Sequence, residues 1–253
     1  MKHFLLITFF NLLSFFLYGW GKTGHHIIVE VAKAHLNKYI QDSIDKYLVN
    51  ISWEDASTWM DDVRRNPEYS YFKTWHYINI EKNTSYDSSK VGLDNVYIQL
   101  QKAINNLQNK KYLTHNQITY NLKILFHLIG DFHQPLHVGY GIDRGGNDIK
   151  IDFLGKRTNL HAIWDTDIIE NTNITFEKVI ALTHKKSSTL YFKKQEINLM
   201  LWMTQTRKLL NSVYNFSNNI DNNYIDKSSS IIKHQLMLAG IRLAHILNNI
   251  FEH

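Results

Sequence analysis

At 253 residues, with 44% hydrophobic and 20% charged side chains, the chain has the size and composition of an ordered, core-forming domain, which excludes a disordered or fibrous protein. A formal charge of +5 favours a polyanionic partner through long-range attraction without selecting one. The absence of cysteine excludes disulfide staples, thiolate metal ligands and thiol nucleophiles.

Residues 1–19 read as an export signal. Lys2 supplies the positive start, Phe4 to Tyr18 is apolar except for Thr8, Asn11 and Ser14, and Gly19 is the small residue before cleavage. The run is short for a membrane span and lacks a stop-transfer flank. The mature chain is therefore expected to be one continuous domain, 20–253, exported to the periplasm or medium and not inserted in a membrane. Helical spacing of apolar residues then predicts helices over His26–Leu36, Asp55–Val63 (ending before Pro67) and Val96–Leu107, the last with Val96, Leu100, Ile104 and Leu107 on one face. Leu122–Gly130 is apolar around His127 and reads as a helix through the core. Alternation over Asn147–Phe153, with Gly145, Gly146 and Gly155 as turn signals, predicts a small hairpin near 139–155. Glu196–Val213 and Ser228–Ile250 complete an all-helical reading, and Asn83–Ser89 and Asn218–Ser230 are polar connectors.

Chemistry concentrates in two His-x-x-x-Asp pairs, His127 with Asp131 and His161 with Asp165. Residues four apart share a helix face, so each pair can reach one cation together. His25, Asp61, His76 and His137 add further nitrogen and oxygen donors, enough for more than one zinc. Burying an unpaired Asp131 in an apolar helix would cost several kcal/mol, on the order given for polar and charged groups, and coordination removes that conflict. Each residue also has an ordinary alternative: a core histidine, a helix cap, a solvated carboxylate. The segments join metal-dependent hydrolysis more readily than all these alternatives together. His133 reads as support for the ligands or as a structural residue.

The motifs WGKTGH at 20–25, STWMDDVRR at 57–65, WHYIN at 75–79, HLIGDFHQPLHVG at 127–139, GGN at 145–147 and TNLHAIWDT at 158–166 resemble, in order and spacing, those of the S1/P1 nucleases. That resemblance implies a mainly helical domain of the phospholipase C/P1 nuclease type and three zinc ions per chain. Asp61, His76, His127 and Asp131 would hold one ion; His137, His161 and Asp165 a second; His25, a bridging Asp131, and the free amine and carbonyl oxygen of Trp20 the third. It further implies hydrolysis of single-stranded DNA and RNA to 5′-phosphate products, removal of phosphate from 3′-nucleotides, and action as a monomer. Asp61 and Asp131 would stand at the reacting centre, Arg64 would stabilise the phosphoryl oxygens, and Tyr77 and Asn79 would stack on and hydrogen-bond a nucleobase. Two other readings remain at this level. One is a zinc-dependent phospholipase C, and the other a non-catalytic zinc-binding exported protein.

Overall fold

A computed structural model describes residues 20–185, 196–216 and 220–252; the export segment expected at 1–19 lies outside them. Polar side chains start several of the helices, though not α1 (Lys22–Ala34), which opens after Gly21. Asn37 accepts from the Ile40 amide to open α2 (Lys38–Asp45), Ser52 from the Asp55 amide to open α3 (Trp53–Val63), and Asn95 from the Ile98 amide to open α4 (Val96–Gln108). Thr114 and Gln117 form a reciprocal capping box at the head of α5 (His115–Asp131). α1 (Lys22–Ala34), α6 (Phe176–Lys185), α7 (Leu199–Lys208) and the long α8 (Asn222–Phe251, capped by Asp221) complete the longer helices described.

α5 is the central element. Every residue from Ile124 to Asp131 is buried, as expected of a helix covered on all sides. It packs against α3 and α4, and α8 contacts both it and α1. Gly240 permits the α1–α8 approach: a Cβ there would lie 2.5 Å from Val31 Cγ1 and 2.8 Å from the Ile28 carbonyl oxygen. The strands β1 (Lys150–Phe153) and β2 (Lys156–Asn159) pair antiparallel, Ile151 opposite Thr158 and Phe153 opposite Lys156. Leu154 and Gly155 both have positive φ (53° and 83°), the geometry of a tight two-residue hairpin turn. β2 leads straight into helical turns at Leu160–Ala162, a wider π-helical turn at Ile163–Asp167 and a last turn at Ile168–Asn171.

The helical, hairpin-bearing fold agrees with expectation, and three boundaries are corrected. The hairpin spans 150–159 instead of 139–155, because Gly155 forms the turn and does not end the strand pair. α5 begins at His115, seven residues before the apolar run, at its capping box. The stretch read as a polar connector, Asn218–Ser230, is helical from Asn222, with Tyr224, Ile225, Ser228 and Ser229 on a buried stripe. Among the described residues no helix is long and apolar enough to cross a membrane.

Candidate metal centre

The inner end of α5 carries His127 and Asp131 one turn apart, both fully buried. Pro135 then ends α-helical geometry, and a short 3-10 turn, Pro135–Val138, brings His137 back beside them. His137 is joined to the extended segment 76–80: the Ile78 amide donates to the His137 carbonyl at 2.8 Å, and the Ile80 amide to that of Gly139 at 3.1 Å. Along that segment His76, Ile78 and Ile80 are buried, Tyr77 is half-buried and Asn79 is exposed. Asp61 comes from the last turn of α3 and Arg64 caps it, its Nη1 3.5 Å from Asp61 Oδ1. His161 and Asp165 stand one turn apart after β2, Asp165 on the π-helical turn.

α1 supplies His25. Its ring stacks on His127 (centroids 4.2 Å apart, planes 14° apart) and its Nε2 lies 3.4 Å from Asp131 Oδ1. Trp20, fully buried, precedes α1, and the neighbouring Gly21 amide donates to the Asp165 carbonyl at 2.8 Å. The chain thus gathers three donor groups, each with its ligand atoms within 4.8 Å of one another: His25, His127 and Asp131; Asp61, His76 and His127; His137, His161 and Asp165. His127 joins the first two groups. Asp131 also reaches His76, Oδ2 to Nδ1 at 2.9 Å, and His127, Oδ2 to Nε2 at 3.2 Å.

Backbone carbonyls set the histidine tautomers. Nδ1 of His127 donates to the Ser57 carbonyl, Nδ1 of His137 to that of His76 and Nδ1 of His161 to that of Gly145, each at 2.7 Å. Each ring then turns its Nε2 lone pair inward. Between His161 and His137 the two Nε2 atoms face each other at 3.0 Å. Two neutral lone pairs repel at that distance, so the pair either shares a proton or binds one cation in common, with Asp165 Oδ2 3.2 Å from the His161 Nε2. Both ring nitrogens of His25, Asp61 Oδ1, His76 Nε2 and Asp131 Oδ1 are buried without a hydrogen-bond partner in the described residues, a cost that divalent ions would remove. By donor type, aim and unmet bonding, these residues fit metal ions.

Electrostatics agree. Burial opposes ionisation of Asp131, yet His127 and His137 hold its carboxyl well below the usual range. Burial, with Asp131 and Asp61 adding repulsion, pushes Asp165 well above that range despite the Gln134 hydrogen bond. Burial would lower His127, but the carboxylates of Asp131 and Asp61 raise it to about 9. Burial, followed by repulsion from His127, drops its stacked neighbour His25 to about 4. Without metal, His127 carries a proton beside an ionised Asp131, while His25 is neutral and Asp165 protonated.

Of the twelve residues predicted for the site, the eight histidine and aspartate donors come together here and Arg64 lies against Asp61; Trp20 precedes Gly21, whose amide meets the Asp165 carbonyl, and Tyr77 and Asn79 lie on the segment that follows His76. His133 does not face it: Nδ1 donates to the Ile129 carbonyl and Nε2 accepts from Arg242, so its part is structural. Gln134 is the supporting residue the sequence reading passed over. Fully buried, it donates to Asp165 Oδ1 at 2.5 Å and accepts from the Leu136 amide at 2.5 Å. A polar residue just past the end of an apolar helix was its only signal. Gly130 is a second omission, since a Cβ there would sit 2.8 Å from His25 Nδ1.

Endonuclease 2 of Arabidopsis thaliana is 28% identical to this chain, with 93% of this chain and 91% of the relative covered. Nuclease S1 of Aspergillus oryzae is 26% identical, with 90% of each covered, and nuclease P1 of Penicillium citrinum is 27% identical over 58% of this chain and 57% of its own length. The family model described as S1/P1 Nuclease matches residues 20–252, a span that holds every donor of the buried cluster. The chain belongs to the S1/P1 nuclease family and is a nuclease.

Proposed function

We propose that this nuclease cleaves single-stranded DNA and RNA to 5′-phosphate products, and removes phosphate from 3′-nucleotides, with three zinc ions per chain. Asp61, His76, His127 and Asp131 hold the first ion, His137, His161 and Asp165 the second, and His25, Asp131 and the amine and carbonyl oxygen of Trp20 the third. The observation that carries this reading is the convergence of three donor groups on one buried cluster whose histidine lone pairs face inward. Bound zinc supplies Lewis acidity and makes water acidic enough to act at neutral pH.

The protein's own part is placement. The carbonyls of Ser57, His76 and Gly145 fix three imidazoles, and Gln134 fixes Asp165. Arg64, steadied by Asp61, presents a rigid fork of donors to the phosphoryl oxygens, where charge builds as the bond breaks. Tyr77 stacks on a nucleobase and Asn79 hydrogen-bonds its edge, contacts that tolerate sequence and are worth about 1–3 kcal/mol per stacked base. A base must leave its stack to be held this way, which costs least in a single strand. Loss of residues 1–19 on export frees the Trp20 amine, so processing and assembly of the site become one event.

The test is N-terminal sequencing and metal counting on exported protein, followed by rates on single-stranded DNA, duplex DNA, RNA, a 3′-mononucleotide and phosphatidylcholine. A start at Trp20, three zincs and faster cleavage of single strands support the reading. Equal cleavage of duplex, or phospholipid cleavage without nucleic-acid cleavage, overturns it.

A further inference from the structure

Arg207, on α7, lies far along the chain from every motif described above. Its half-buried guanidinium donates from Nη1 to the carbonyls of Val138 and Gly139, the latter at 3.2 Å. From Nη2 it donates to the carbonyls of Ile80 and Glu81, at 3.2 and 3.5 Å. These four carbonyls belong to two segments. One is the extended stretch carrying His76, Tyr77 and Asn79, and the other the turn carrying His137. Two backbone hydrogen bonds already join the segments, and Arg207 sits where that pairing runs out, binding both at once. The ring of Tyr140 packs 5.7 Å from the guanidinium carbon, and Gly141 runs beside Asn79, whose Cβ is 3.4 Å from where a glycine Cβ would be. A planar fork with five donors suits four carbonyls on two strands; a lysine ammonium, with three donors at one point, cannot span them.

We propose that Arg207 is a positioning residue for nucleobase recognition: it locks the segment bearing Tyr77 and Asn79 in register with the His137 turn, and so fixes the base contact relative to the metal cluster. The inference rests on the reading that Tyr77 and Asn79 meet the base. Arg207 touches none of the clustered donors, so its loss should alter where a base is held before it alters what the cluster holds.

The experiment measures kcat and KM of the zinc-loaded enzyme, its Arg207→Lys and Arg207→Gln variants and a Tyr77→Ala variant. The substrates are a short single-stranded oligodeoxynucleotide and its abasic counterpart with the same backbone. Zinc content and circular dichroism are recorded for each protein. Arg207→Lys and Arg207→Gln are both expected to raise KM for the base-bearing strand by about tenfold with kcat little changed. The abasic strand should show no such rise, and zinc content and helicity should match wild type. Equal losses on both substrates, loss of zinc, or unchanged KM overturn the proposal. Tyr77→Ala separates the two levels. If it also raises KM only for the base-bearing strand, a neutral Arg207→Lys refutes Arg207 alone; if it is itself neutral, the base-contact reading fails and this inference falls with it.

Discussion

Replacing Gly130 by alanine sets helix propensity against the geometry of the cluster. Alanine is favoured over glycine inside a helix by roughly 0.8–1.0 kcal/mol, and Gly130 lies in the last turn of α5 with an ordinary negative φ, so the backbone itself would gain. The new Cβ, however, would stand 2.8 Å from His25 Nδ1, 2.9 Å from Cε1 and 3.1 Å from Ile28 Cδ1. To restore ordinary contact the ring must retreat by roughly 0.7 Å or more. It is fully buried and stacked at 4.2 Å on His127, so little room exists for that retreat. Overpacking of this kind costs about 1–3 kcal/mol, which leaves a net destabilisation of about 0–2 kcal/mol after the helix gain. Metal binding is the sharper readout, since a ligand displaced by that much leaves the roughly 0.2 Å tolerance of zinc coordination. Gly130→Ala is therefore expected to unfold at a lower urea concentration than wild type, to hold one zinc fewer, and to lose most of its nuclease rate. Atomic absorption on protein equilibrated with limiting zinc, alongside a urea titration, checks this. Three tightly held zincs in a normally folded variant would refute the link between Gly130, His25 and the third ion.

Three further outcomes are expected. Gln134→Leu removes the donor that orients Asp165 and should weaken zinc at the His137–His161–Asp165 group by about 10–100-fold, measured by chelator competition; unaltered competition would make Gln134 a packing residue only. One extra residue ahead of Trp20 converts its amine to an amide, so protein purified with that extension should bind one zinc fewer than protein starting at Trp20, and an equal count would remove Trp20 from the ligand set. Stripping the metal should lower thermal stability: zinc in excess by about 100-fold over its Kd at one site adds about 2.7 kcal/mol, and a melting temperature indifferent to chelator would mean the donors are satisfied without it.

The parts legible in the sequence are those written in side chains. His127, Asp131, His161 and Asp165 stood out because charged and imidazole groups interrupt apolar helical patterns, and the helix faces of α3 and α4 follow from their 3.6-residue period. What stayed hidden was written in the backbone. The carbonyls of Ser57, His76 and Gly145 that fix the imidazoles carry no residue signature, since every residue has one. Arg207 was invisible for the same reason: its four partners are carbonyls of segments that only the fold brings near α7. The start of α8 was misread because Asn222 to Ser230 is polar in composition, although Tyr224, Ile225 and Ser228 already keep helical spacing on the buried side. Gly155 signalled a turn correctly, but one glycine does not say whether a strand ends or folds back.

A buried cluster of imidazoles and carboxylates can also be a hydrogen-bond network that only stiffens a core, and the distinction lies in charge. A network built for stability would pair each donor with an acceptor and close with neutral amides or hydroxyls, as Gln235 does between the His133 carbonyl and Thr206. The cluster at the end of α5 is built otherwise. Three of its histidines spend their N–H outward on backbone carbonyls, which leaves acceptors facing acceptors inside, among them the two Nε2 atoms 3.0 Å apart. Three carboxylates, Asp61, Asp131 and Asp165, share that interior with one arginine at the rim, and without metal the protons settle on His127, raised to about 9, and on Asp165, pushed well above the usual carboxyl range, while Asp131 stays ionised. Both ring nitrogens of His25, Asp61 Oδ1, His76 Nε2 and Asp131 Oδ1 still lack a hydrogen-bond partner among the described residues, a cost that stands until cations enter between the donors. Divalent ions meet that demand.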